Sequence, residues 1–159
     1  MNAKRILIAL ILCCAACLAV SAAEADVPII SIENGYSVGY DISASDIGSA
    51  FELTLGIGVT DKIQAQVSFL KGDGGAVYND YRLLGLSYLV MPKLGITTFF
   101  GQRATAVATI AGVGLYSNIF ERSVGGLTTA LKVKLDYLGN VADYSDGLFR
   151  IGLAAVVGM

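Results

Sequence analysis

Phe51-Glu-Leu-Thr-Leu-Gly-Ile-Gly-Val-Thr-Asp-Lys-Ile-Gln-Ala-Gln-Val-Ser-Phe69 is the stretch that decides the fold. From Phe51 to Thr60 every odd position is apolar and every even position is polar or glycine, which is the period-two signature of a strand with two unlike faces. Asp61 and Lys62 interrupt the alternation. It resumes with Ile63, Ala65, Val67 and Phe69 on one face and Gln64, Gln66 and Ser68 on the other. Two strands joined by so short a polar link are neighbours in an antiparallel hairpin.

The same alternation recurs outward from this hairpin. Upstream, Ile30, Ile32, Tyr36, Val38, Tyr40 and Ile42 share one face of a first strand, with Ala44 to Ile47 as the link to the second. Downstream, Lys71 to Asp80 is a glycine and aspartate cluster that reads as a loop. A fourth strand follows over about Tyr81 to Val90, and a fifth from Ile96 to Arg103. A sixth lies between Val107 and Asn118, where alternation is poor. Leu127 to Tyr137 makes a seventh, Gly139 to Gly147 a polar loop, and Leu148 to Met159 an eighth. The two prolines, Pro28 and Pro92, fall outside strand interiors, where the missing N–H removes no ladder bond.

Ahead of the strands lies a targeting segment. Lys4 and Arg5 precede an apolar run from Ile6 to Val20, and small residues around Ala23 and Ala25 give A-x-A spacing. This is the pattern of a secretory signal peptide over 1–25, leaving one domain over 26–159. Cys13, Cys14 and Cys17 all lie in the signal, so the exported domain has neither a disulfide framework nor a cysteine metal site. Removing Lys4, Arg5 and Glu24 leaves 12 acids against 9 bases, too weakly charged and too acidic for nucleic-acid binding. Charged residues are 15% of the chain and apolar ones 55%, yet no run past the signal approaches the roughly 20 residues of a spanning helix. The apolar surface is therefore distributed over strands.

Eight strands of this length match what a tilted strand needs to cross a bilayer. The pattern resembles the small eight-stranded outer-membrane β-barrels of diderm bacteria, the group with OmpA-type, OmpX-type and OmpW-type members. The resemblance covers nearly all of 26–159. Residues 56 to 64 (Gly-Ile-Gly-Val-Thr-Asp-Lys-Ile-Gln) are similar to a periplasmic turn of such barrels. Phe149, Ile151, Leu153, Ala155, Val157 and Met159 alternate to the last residue, like the terminal strands that the barrel assembly machinery recognises, with Met159 where an aromatic residue is usual. The resemblance implies a closed, antiparallel, up-and-down transmembrane barrel in the outer membrane, with lipid and the assembly machinery as partners. The implied role is structural, envelope interaction, or passage of a small solute.

The chemistry of the two faces bears on orientation. The polar face is mostly glycine, serine, threonine and alanine, which suits the narrow lumen of an eight-stranded barrel. The apolar face suits lipid. Tyr40, Phe51, Phe69, Tyr137 and Phe149 fall toward one end of their strands, with Tyr88 toward the other, as interfacial girdles would. Closing strand eight on strand one brings Glu33, Asp41 and Glu52 opposite Lys132, Lys134, Asp136 and Arg150, and these seven are expected to form an interior ion-pair network.

The alternative is a soluble lipocalin-like barrel with the apolar face inward around an apolar ligand. Catalysis finds little support. The chain has no histidine, which removes serine-histidine chemistry and His-ligated metals, and no cofactor motif is complete. Asp143 and Asp146 read as an ordinary solvated loop rather than a calcium site.

Overall fold

The computed structural model describes residues 27–72, 80–104, 108–143 and 145–159. The signal segment and most of the 71–80 loop lie outside them. Eight antiparallel strands close into one barrel in sequence order: β1 (Ile30–Asp41), β2 (Asp46–Gly58), β3 (Ile63–Gly72), β4 (Tyr81–Met91), β5 (Leu94–Arg103), β6 (Ala108–Val124), β7 (Leu127–Asn140) and β8 (Gly147–Gly158). β8 pairs with β1 from Ser31↔Gly158 to Asp41↔Leu148, so the sheet has no open edge along that seam.

Both ends of the described chain lie at the same rim as the short links 59–62, 92–93 and 125–126; the links after β1, β3, β5 and β7 lie at the other, here called the loop rim. A path perpendicular to the strands from Ser31 passes through Gly56, Gln66, Gly85, Phe99, Gly112, Leu138 and Leu148. It returns to β1 at Asp41, ten residues beyond its start (31 to 41). With a rise of about 3.3 Å per residue and strands about 4.8 Å apart, that offset tilts the strands by roughly 40°.

Along β1 and β8 side chains alternate between lumen and exterior. Ser31, Glu33, Ser37 and Asp41 are buried, while Ile32, Tyr36, Val38 and Tyr40 between them are exposed. β8 repeats the pattern, burying Leu148, Arg150, Ala154 and Val156 between the exposed Phe149, Ile151, Leu153 and Val157. The large apolar side chains are therefore mostly on the outside. An apolar cluster does exist within the barrel, but only toward the loop rim, where Ala50, Leu70, Tyr81, Leu83, Phe99, Ile110, Leu138 and Leu148 pack together.

The structure revises the expected boundaries in two places. β2 begins at Asp46 rather than Phe51, and the link before it is 42–45 rather than 44–47, because Asp46–Ala50 pairs with Ser37–Asp41. Ser45, at φ 53°, takes the left-handed conformation that turns so short a link. β6 runs to Val124, past the expected end near Asn118. A bulge between Asn118 and Phe120 inserts Ile119 and reverses the parity of the strand. Inward positions are even up to Asn118 and odd afterwards, which is why no single alternation fits the segment. Beyond Asn118, β6 has outrun β5 and pairs with β7 alone, so this hairpin projects past the rim.

The projecting hairpin turns on Gly125 and Gly126, at φ 61° and 83°, the two left-handed positions of a type I′ turn. Nothing lies within reach of a side chain there, so only the backbone demands glycine. Gly126→Val is expected to cost about 1–2 kcal/mol, whereas Gly125→Asn, a residue that tolerates this conformation, is expected to be nearly neutral. Urea unfolding of the two variants checks the contrast.

Candidate functional site

Six of the seven charged residues expected inside the lumen meet there as one alternating chain. β7 contributes Lys132, Lys134 and Asp136 at successive inward positions, β8 contributes Arg150, β1 Glu33 and β2 Glu52. Lys132 Nζ donates to Glu33 Oε1. Lys134 Nζ lies between two carboxylates, 2.8 Å from Glu33 Oε2 and 2.8 Å from Glu52 Oε1. Arg150 continues the line, Nη1 donating to Glu52 Oε2 at 2.7 Å and Nη2 standing 2.7 Å from Asp136 Oδ2. The Lys134–Glu33 and Arg150–Asp136 contacts are close ion pairs.

Three cations and three anions thus alternate and cancel, climbing the lumen from the rim that carries the termini toward the loop rim. All six side chains are buried. In surroundings of low polarizability each would be costly alone, and each is held by opposite charge on at least one side. Neutral contacts complete the chain. Thr54 Oγ1 donates to Glu52 Oε1 at 3.0 Å, Lys132 Nζ lies 4.7 Å from the centre of the Tyr116 ring, and Arg150 stacks 5.8 Å from the centre of the Phe99 ring.

Room for these groups comes from glycines on the facing strands. A side chain at Gly114 would collide with the Asp136 carboxylate, and one at Gly95 would collide with the Tyr116 ring. The rest of the lumen is bridged by polar pairs: Gln64 Nε2 donates to Ser31 Oγ at 2.9 Å, Ser87 Oγ to Gln66 Oε1 at 3.1 Å, and the Ser87 and Thr97 hydroxyls stand 2.8 Å apart. The cavities beside the chain are small. A cavity of about 40 Å³ lies beside Ser31, Glu33, Gln64, Tyr116 and Lys132, and another of about 10 Å³ between Gln66, Thr97, Lys134 and Asp136. These hold a few waters at most.

Asp41, the seventh expected member, is a correction. It points inward and is buried, but at the loop rim, where Oδ1 accepts from Ser43 Oγ at 2.7 Å and from Ala44 N at 2.9 Å. It shapes the β1–β2 link and makes no contact with a network base among the described residues. Its face was readable from alternation; its height relative to Arg150 depends on the barrel's stagger.

Sequence reasoning also missed the closure above the chain. The apolar cluster fills the lumen at the loop rim, and Arg103 crosses over it to the β7–β8 link. Arg103 Nη1 donates to Asp146 Oδ1 at 3.0 Å and Nη2 to Oδ2 at 2.6 Å, while Asn140 Nδ2 donates to Asp146 Oδ2 at 3.1 Å. Asp143, in the same link, accepts from Ser145 N and Oγ. Leu70, Leu83, Phe99, Ile110 and Leu148 all occupy inward parity in the sequence, so the signal for the apolar layer was present.

The expected aromatic residues all belong to the outward set. Tyr40, Phe51, Tyr88, Phe149 and Phe69 are exposed, and Tyr137, half-buried, packs against Phe149 with ring centres 4.8 Å apart. Phe100 and Phe120 are exposed with them and were not anticipated. Comparison of the chain with protein-family models, with curated proteins and with solved structures finds no match. The functional reading therefore rests on this geometry.

Lys134→Met leaves Glu33 without one partner and Glu52 without another, and is expected to destabilise the barrel by about 3–5 kcal/mol, read from urea unfolding. The Arg103–Asp146 pair has a different signature. Its hydrogen bonds hold the Asp146 carboxyl below its usual value of 3.8. A carboxylate with a depressed folded pKa contributes stability above the unfolded value, and that contribution is lost as pH falls through the folded one. The stability difference between the native protein and Asp146→Asn should therefore be constant near neutral pH and shrink once the pH drops below 3.8, as thermal melts across pH will show.

Proposed function

We propose that this chain is an integral outer-membrane β-barrel with a closed lumen, serving a structural or envelope-interaction role without catalysis. The observation that carries this reading is the inversion of polarity: ion pairs inside, apolar side chains outside. Ile32, Leu55, Leu84, Val113 and Leu153 are between 44% and 62% exposed while Arg150 and Glu33 are at most 2% exposed. In water such a belt would be a liability, since soluble proteins rarely expose contiguous apolar patches of more than a few hundred Å². In lipid it is the required surface, and a closed barrel leaves no unpaired backbone in the hydrocarbon.

Dimensions support the same reading. A strand of 12 residues such as β1, tilted by roughly 40°, rises about 30 Å, which covers an apolar band about 25 Å tall. Most of the outward aromatics gather toward the loop rim, with Tyr88 and Phe120 near the other, as interfacial girdles do. The alternating outward face of β8 is what the assembly machinery would read, and the amino-terminal signal supplies export. The small-solute variant of this role requires the ion-pair chain to open, because the cavities beside it are about 40 and 10 Å³. The same volumes weigh against a lipocalin-like apolar-ligand site, which needs a pocket of about 300 Å³ or more.

The reading is tested by washing native envelopes with urea or carbonate and comparing gel mobility with and without boiling. Retention in the outer membrane with a heat-dependent shift is the expected result; release into the soluble fraction would overturn it. Leu55→Arg sharpens the test. Midway along β2 on the outward face, it is expected to cost insertion about 2–4 kcal/mol if the face meets lipid, and next to nothing if it meets water.

A further inference from the structure

The outward surface of the eight strands is nearly uncharged, and the exceptions share one sign. Among the described residues it carries Lys71 on β3, Arg82 on β4 and Arg122 on the projecting part of β6, and no acid. Arg122 stands apart. Lys71 and Arg82 are neighbours: Arg82 pairs with Phe69, and Lys71 is the next outward residue after Phe69, so the two are diagonal across adjacent strands, about 7–8 Å apart.

Their surroundings are those of an anion site at an apolar boundary. The Lys71 side chain is 80% exposed, and the carboxylate beside it among the described residues, Asp80 Oδ2, is 3.8 Å away, a long contact between exposed groups that contributes little. No carboxylate pairs with Arg82 among the described residues. Gln102, exposed on β5 directly across from Arg82, adds amide donors to the same face. Phe51 pairs with Lys71 and Phe69 with Arg82, while Phe100 lies one outward position from Gln102; all three rings are exposed. The loop-rim ends of β3, β4 and β5 thus present a guanidinium, an ammonium and an amide above an aromatic shelf.

We propose that this patch binds the phosphate of a lipid with a net anionic headgroup in the leaflet on the loop side, the lipid's chains lying along Phe51, Phe69 and Phe100. The inference rests on the membrane reading above and adds a ligand class to it. The guanidinium fork of Arg82 matches two phosphate oxygens, and Lys71 supplies a mobile point charge beside it. Charge complementarity favours phosphorylated lipid over a peptide, because the shelf beneath the cations is apolar and continuous with the belt.

Lipid retention tests the proposal. Protein purified from membranes is inserted into phosphatidylcholine vesicles and into vesicles that also contain phosphatidylglycerol, and the lipids retained after gentle extraction are counted by native mass spectrometry. Two basic groups near the surface predict a preference for phosphatidylglycerol of about tenfold or more. Lys71→Gln/Arg82→Gln should abolish it; Lys62→Gln, which removes one lysine from the turn at the opposite rim, should not. Equal retention by the double variant and the native protein would overturn the assignment, as would displacement of the lipid by inorganic phosphate alone, which would identify a soluble anion as the ligand. Insertion into phosphatidylcholine without any preference overturns this inference alone, whereas failure to insert overturns the membrane reading and this inference with it.

Discussion

Lys134 held between Glu33 and Glu52 is the contact on which the interior depends. These three groups belong to β7, β1 and β2, and β8 lies between the first two of those strands, so the ammonium ties together the wall on both sides of the closing seam. Its charge cannot be moved outward, because alternation would carry the rest of β7 with it. It cannot stand alone in a lumen this narrow. The arrangement that satisfies both constraints is an alternating line, and Lys132 and Arg150 extend it at either end.

That line explains features elsewhere that otherwise look unrelated. Gly114 faces Asp136 and Gly95 faces Tyr116 because a barrel of eight strands has no volume for large side chains on every wall. The bulky groups are concentrated on some strands, and their neighbours give way. The lumen is layered as a result, with hydroxyls and amides below, ion pairs through the middle and apolar packing at the loop rim. Arg103 and Asp146 close the top by joining β5 to the β7–β8 link across the barrel mouth. Each layer occupies the lumen for a different physical reason.

The outward surface is the complement of this interior. It carries almost no charge because charges belong to the lumen, and the few exceptions sit at the strand ends. A barrel placed in lipid meets phosphate at such ends, where Lys71 has only a long contact with Asp80 among the described residues. The polar interior and apolar exterior are two results of one alternation, set with a given phase in every strand.

Much of this was legible in the sequence because a strand's two faces are a local property. The period of two in Phe51–Phe69 and its echoes marked the strands outside β6 and put Glu33, Glu52, Lys132, Lys134, Asp136 and Arg150 on the polar face of theirs. Alternation also carried the apolar inward residues Leu70, Leu83 and Leu148, although a polar-face reading passes over them. What alternation does not contain is height. Whether Asp41 or Glu52 meets Arg150 depends on the ten-residue stagger of the closed sheet, which is a sum over eight registers and exists in no single hairpin. The bulge at Asn118 likewise hides β6 from periodicity, since an inserted residue reverses parity without leaving a compositional mark. Outside β6, the sequence by itself determined which residues share a face of the wall; only the tertiary structure decided that the charged face lies inward and which residues meet across it, because contact inside a lumen is set by stagger and curvature rather than by neighbours along the chain.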